Sequence, residues 1–191
     1  ETVPTARGFT VVHVPAGPAR HIPKDELLPY MHPFGLWLAE RWAATGAPDI
    51  VHAHFWMSGV AAEVATSAVP VPVVQTFHAL GSVKRRYQTT ADTSPPERVD
   101  IERRIALSAA RVIAQCTDEV DELAALGVPR SKISIVASGV DAQRFTPVGR
   151  AAPRTPGRHR ILTVGRLVPR KGFDELVHAL PDLPDAEVVV A

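Results

Sequence analysis

Short runs of β-branched and apolar residues recur along this chain, and helical patterns separate them. The runs are Phe9 to Val14, Ile50 to Ala53, Pro72 to Thr76, Arg111 to Gln115, Ile133 to Val136, Ile161 to Val164 and Glu187 to Val190. Few of them alternate with polar residues, which is the pattern of strands covered on both faces. Between them lie stretches with helical spacing. Phe34 to Thr45 places Leu38, Trp42 and Ala43 on one face, and Ser58 to Ser67 is small and apolar. Glu97 to Ala110 carries Ile101, Ile105 and Ala109 four residues apart, and Asp118 to Leu126 starts with acids and stops at Gly127. Acids at the start and a glycine after the end suit the helix dipole and a left-handed C-cap. Strand and helix in alternation predict a doubly wound α/β fold with a parallel sheet.

A stretch rich in Pro, Gly and Arg, Pro147 to Arg160, has no apolar periodicity and reads as a linker. It predicts one domain over 1–149 and the start of a second over 150–191. The chain begins at Glu1 without an initiator Met and ends within an apolar run, so it is expected to be a piece of a longer protein. Net charge is +1, with 21% charged residues, which argues against a nucleic-acid partner. No apolar run approaches membrane-spanning length, and none is read as a transmembrane segment. The single Cys116 cannot form an internal disulfide and fits a reducing compartment, so the expected location is the cytoplasm.

Four constellations could carry chemistry. In Gly165-Arg166-Leu167-Val168-Pro169-Arg170-Lys171-Gly172 a strand runs into a cationic loop bounded by glycines, and a helix follows with Phe173, Leu176, Val177 and Leu180 on one face. Backbone N–H groups and a helix start offer an anion site there, with Arg166 and Lys171 adding charge-assisted hydrogen bonds. An ordinary βα turn with solvated cations fits the bare pattern equally. In His52-Ala53-His54-Phe55-Trp56 a strand ends and a helix begins, at the sheet edge where open α/β sheets bind ligands. Phe55 and Trp56 could stack on a sugar ring, or could be core residues with His52 buried beside them. His52 and His54 share one side of the strand, yet no Cys, Asp or Glu adjoins them, so no metal is expected. His78 follows the third strand at the same edge, where it can donate to a hydroxyl or to developing charge. After it comes a polar loop whose cations Lys84, Arg85 and Arg86 meet a phosphate or only water. Finally, Ser138-Gly139-Val140-Asp141 forms a turn into the linker, and Gly139 suggests an unusual backbone angle.

In this order the four segments resemble the family 4 retaining glycosyltransferases, which have the two-domain GT-B architecture. The pairing of Gly139-Val140-Asp141 with Gly165-Arg166…Arg170-Lys171-Gly172 is the specific part, and the resemblance spans nearly the whole chain. The segments around Lys24, His52 to Gly59 and Phe77 to Arg86 are similar to the branch holding the inositol-phosphate glycosyltransferases and the sucrose-phosphate synthases. The resemblance implies that Arg166 and Lys171, with Gly165, hold the donor diphosphate, and that His78 is the catalytic histidine that contacts the transferred sugar. It places Lys24, Phe55, Trp56, Lys84 and Arg103 at the acceptor, and Gly139 and Asp141 at a turn between the domains. It implies a nucleotide-sugar donor, a small sugar or cyclitol acceptor, phosphorylated or not, and transfer with retention. No cofactor is expected, because the nucleotide sugar is a substrate, and no metal, because Arg166 and Lys171 would do its electrostatic work; a homodimer is left open. Phe55 stands where Tyr is frequent, Ala79 where Thr is frequent, and Ser138 where Asn is usual. The first two departures count against an inositol-phosphate acceptor. The expected whole is a protein of roughly twice this length. A non-catalytic binding module and a GT-B nucleotide-sugar epimerase are the alternatives.

Overall fold

The computed structural model describes residues 1–191, the side chain of Arg170 excepted. The chain divides into two compact units, Glu1–Ser138 and Gly139–Ala191. The division precedes the expected 149/150 boundary because sheet pairing ends at Val136, whose N–H donates to Ala114 O, after which the chain runs exposed. The Pro- and Arg-rich stretch 147–160 therefore lies inside the second unit.

The first unit begins with an antiparallel hairpin, β1 (Thr2–Pro4) against β2 (Thr10–Val12), with Thr2 opposite Val12. The expected strand Phe9 to Val14 is thus shorter, and it is not part of the parallel sheet. The hairpin closes through Thr5 N–H to Phe9 O and Gly8 N–H to Thr5 O, a local pairing that competes with any sheet partner. Two 3-10 turns, Lys24–Glu26 and Leu28–Tyr30, lead into α1 (Met31–Thr45).

The parallel sheet follows. In chain order it comprises β3 (Val51–His54), α2 (Trp56–Ala68), β4 (Val73–Thr76), α3 (Gly81–Gln88), α4 (Arg98–Ser108), β5 (Arg111–Ala114), α5 (Thr117–Ala125) and β6 (Ile133–Ile135). The strands lie in sequence order, β3-β4-β5-β6, all parallel. This is the parallel sheet the apolar runs predict; among these four strands the order does not reverse, so the expected doubly wound arrangement is not reached within the described sheet. α2 presents Met57, Ala61, Ala62 and Ala65 inward, and the core continues through Phe77, Ile105, Val112 and Leu123. α5 ends as its sequence predicts: Gly127 sits at φ 87°, its N–H reaches Ala124 O, and Val128 N–H reaches Leu123 O. That is a Schellman closure, and the buried Val128 and Leu123 supply its apolar contact.

α3 was not expected, since the stretch after His78 reads as a polar loop. Its start has no local side-chain cap; instead Gly81 N–H donates to Glu102, twenty-one residues on. A helix whose first donor is satisfied from a distant element leaves no cap in its own sequence.

The second unit is a βαβ arrangement. β7 (His159–Thr163) pairs in parallel with β8 (Ala186–Val190), from His159 opposite Ala186 to Thr163 opposite Val190, and α6 (Phe173–Ala179) connects them. Among the described residues no helix is long and apolar enough to cross a membrane.

Candidate functional site

β3 and β4 end level with each other, with His54 opposite Thr76. Strand alternation turns Ala53 into the core and leaves His52 and His54 exposed on the other side. His52 is therefore not a buried core histidine; its Nε2 is 2.8 Å from Thr76 Oγ1. Just past the two strand ends the backbone takes left-handed angles at non-glycine residues, Phe55 at φ 74° and His78 at φ 62°. Each such position costs about 1–3 kcal/mol and persists only where its surroundings over-determine it.

The turn at His78 brings its Nε2 to 2.8 Å from His54 Nδ1, with the rings 5.1 Å apart and near-parallel. The His52 ring lies 4.1 Å from that of His54. Burial holds His54 below its ordinary 6.5, and its neighbours His52 and His78 push the same way. Between two bonded imidazoles one nitrogen donates and the other accepts, so the contact needs an unprotonated nitrogen on one ring. Such a pair can offer a donor to a hydroxyl or an anionic oxygen at the sheet edge. Among the described residues no group of three or more His, Cys, Asp or Glu is placed to hold a metal ion.

Phe55 is half-buried beside this pair, and Lys24 Nζ lies 5.1 Å from its ring centre. Trp56 is a correction. It is 0% exposed and belongs to the core, so it cannot stack on a sugar. The reason is the helix start: after Phe55 turns the chain, the first residue of α2 faces inward. Lys84 is a second correction. Its Nζ is 2.8 Å from Asp92 Oδ1, 2.9 Å from Ser94 Oγ and 3.7 Å from Asp25 Oδ2. The first two contacts are within hydrogen-bond reach and the third is an ion pair, and together they hold α3 to the 89–96 segment and the 24–26 turn. Arg103 is a third: its Nε donates to Leu126 O at 3.0 Å and so caps the end of α5. Arg85 reaches Pro95 O at 3.1 Å and Pro96 O, and Arg86 is paired with Glu122 at 2.6 Å.

Arg98 and Glu102 were not singled out from the sequence. An Arg–Glu pair at i, i+4 on a helix reads as a surface pair. Here both are buried, 1% and 0% exposed, with Arg98 Nε 2.7 Å from Glu102 Oε1. Burial pushes the Glu102 carboxyl up, against the opposing pull of Arg98 and the Gly81 N–H. Arg98 also donates to Ala79 O at 2.7 Å and lies 5.3 Å from the Phe55 ring centre.

In the second unit, Arg166 and Lys171 are exposed, and their side chains have no hydrogen-bond or ion-pair partner among the described residues. The loop closes as a 3-10 turn, Pro169–Lys171, and Gly172 takes the left-handed angle φ 68°, ψ 26° before α6. Gly165 differs from expectation: its N–H donates to Ala191 O at 3.1 Å and is thereby spent on extending the sheet. Gly139 has no positive φ, and a Cβ there would meet nothing within 4 Å, so the expected unusual angle is absent. The turn is made by Asp141 instead, whose Oδ1 accepts from the N–H groups of Gln143 and Arg144, both at 3.0 Å. A side chain that gathers the following N–H groups makes this turn without a special angle at the glycine.

The family described as "Glycosyl transferase 4-like domain" matches residues 2–139. The chain belongs to that family. Among curated relatives, the D-inositol 3-phosphate glycosyltransferase of Mycolicibacterium gilvum is 35% identical over 99% of this chain and 45% of its own length. The enzyme of that name from Xylanimonas cellulosilytica is 35% identical over 93% of this chain and 46% of its own. This glycosyl transferase 4-like chain thus spans about half the length of the curated relatives it matches. Its fold is that of the GT-B glycosyltransferases: sucrose-phosphate synthase from Thermosynechococcus elongatus superposes with a TM-score of 0.84 at 23% identity, covering 99% of this chain and 48% of that one. Anabaena HepE, solved in complex with UDP and glucose, superposes at 0.61 with 17% identity, over 81% of this chain and 42% of its own.

Proposed function

We propose that the protein to which this chain belongs is a retaining glycosyltransferase, moving a sugar from a nucleoside diphosphate to a small sugar or cyclitol acceptor, phosphorylated or not. The observation that carries this is the His54–His78 pair at the carboxyl ends of β3 and β4, in a chain 35% identical throughout to D-inositol 3-phosphate glycosyltransferases. Residues 1–138 are the acceptor side and 139–191 begin the donor side. His78 donates to the sugar being transferred, where charge develops as the leaving group departs. Arg166 and Lys171, which have no protein partner, take the diphosphate; their charge is worth most in a site that excludes water. With Lys84 tied to Asp92, Asp25 and Ser94, the acceptor's anionic or hydroxyl groups fall to Lys24, which stands at the Phe55 ring. These two cations supply the electrostatic work of a metal, so the reaction needs no cofactor, and its place is the cytoplasm, where nucleotide sugars are made.

The test is a transfer assay on the full-length protein with a panel of nucleotide sugars and acceptors. The Arg166→Ala/Lys171→Ala variant should lose at least about a hundredfold in kcat, the order expected when preorganised charge is removed from a leaving group. Unchanged turnover in that variant would remove the diphosphate assignment, and product formed without acceptor would mark an epimerase.

A further inference from the structure

The two left-handed residues of the site, Phe55 and His78, lie on different strand ends, and one buried ion pair sits beneath both. Glu102 Oε2 accepts the Gly81 N–H at 2.7 Å, and Oε1 accepts Arg98 Nε at 2.7 Å. Arg98 passes the hold on: it donates to Ala79 O at 2.7 Å and to Ser94 Oγ at 3.3 Å, and its guanidinium carbon lies 5.3 Å from the Phe55 ring centre. The backbone on the far side of His78 is therefore gripped at residues 79 and 81. On the near side, Phe55 N–H donates to Thr76 O at 2.8 Å, and Gln75 Nε2 donates to Phe55 O at 3.2 Å.

A buried ion pair is weak evidence of stabilisation, because desolvation offsets its attraction. A surface position would serve an i, i+4 pair as well. What burial adds here is geometry: two carboxylate oxygens and a planar guanidinium fix three separate points of the site.

We propose that Glu102, acting through Arg98, is a positioning residue that holds His78 in its left-handed turn and in register with His54 and Phe55. The inference rests on the transferase function proposed above. The His54–His78 contact of 2.8 Å has little tolerance, and a misplacement of about 1 Å can cost on the order of a hundredfold in rate.

The decisive substitution is Glu102→Gln in the full-length protein. It keeps the size of the side chain but puts an amide NH2 against either Gly81 N–H or Arg98 Nε, both donors. Three readouts separate positioning from general weakening: kcat and KM for transfer, nucleotide affinity by calorimetry, and imidazole 1H–13C spectra of histidine-labelled protein. The expected result is a kcat lowered about ten- to a hundredfold. Nucleotide affinity should stay within about threefold, because no donor-side group is touched. The His78 and His54 cross-peaks should move while that of His32, on α1, stays in place.

Gly81→Ala is the second, milder variant. A Cβ at Gly81 would sit 3.1 Å from Arg98 Cγ, Cδ and Nε, so it displaces the arginine stem while leaving the ion pair present. It should move the His78 cross-peak in a folded protein and lower kcat to a lesser degree. A folded Glu102→Gln protein with kcat within about threefold of the parent and an unmoved His78 peak overturns the proposal. If Glu102→Gln does not fold, an unmoved His78 peak in Gly81→Ala overturns it alone. If the unaltered protein transfers no sugar, the transferase function fails, and the His78 peak still decides the positioning role.

Discussion

Replacing Lys84 by Met tests whether this lysine is a structural tie and not a free acceptor cation. The Lys84 side chain is 17% exposed and that of its main partner, Asp92, 5%. Removing one member of a fully buried ion pair costs about 3–5 kcal/mol. Two features reduce that figure here. Lys84 is partly solvated, and Asp92 Oδ1 keeps the Ser94 N–H at 2.8 Å and the Ser94 hydroxyl at 2.5 Å. The expected loss is about 2–3 kcal/mol at pH 7, or roughly thirty- to a hundred-and-fifty-fold in the unfolding constant. The loss should also carry a pH signature. Burial raises the Asp92 carboxyl, but bonding to Lys84 and Ser94 outweighs it and holds the group well below its ordinary 3.8. A carboxyl depressed in the folded state contributes stability that is full above 3.8 and lost as pH falls through the folded value. Without Lys84 the depression shrinks, so the gap between parent and variant should narrow on going from pH 7 to pH 3. The assay is urea unfolding followed by tryptophan fluorescence, since Trp37, Trp42 and Trp56 all lie in the first unit and report on it alone. A loss below about 0.5 kcal/mol, the usual scatter of a surface substitution, would refute the tie. So would a gap that stays constant with pH.

Two further predictions follow from close contacts and from titration. A Cβ at Gly35 of α1 would lie 2.5 Å from both Ala61 O and Val64 Cβ of α2, so Gly35→Ala must push the helices apart. Overpacking of about 1–3 kcal/mol should exceed the gain of about 1 kcal/mol in helix propensity, and an unchanged or raised urea midpoint would refute the close approach. His54 should titrate below 6.5 by NMR, because burial and its histidine neighbours disfavour its charge. The unfolded chain then binds the proton more readily, so stability falls as pH drops below 6.5 and levels off once the folded group is also protonated. A midpoint at or above 6.5 would contradict the geometry.

Much of the fold is legible in the residues because it is local. Apolar runs flanked by turn signals fix β3 to β8, and acids in its first turn with Gly127 after it fix α5, since period and cap chemistry need no distant partner. The hairpin over Thr2–Val12 and the helix Gly81–Gln88 escape that logic. The first depends on which strand Thr10–Val12 chooses, and the second on a carboxylate from α4.

The site divides the same way. The sequence by itself places His52, His54 and His78 at one sheet edge, because strand alternation and parallel order follow from pattern. It also places cations in the loop from Gly165 to Gly172. Only the tertiary structure decides what each charge does. Lys84 and Arg103 carry the same charge as Lys24, yet they are committed to Asp92 and to Leu126 O, while Lys24 faces the Phe55 ring. Trp56 differs from Phe55 by one position and lies wholly in the core. Arg98 and Glu102 have the spacing of an ordinary surface pair and are buried beneath the histidine loop. Charge and residue type belong to the chain, whereas partner and exposure arise from which elements pack against each other, and those contacts join residues far apart in sequence.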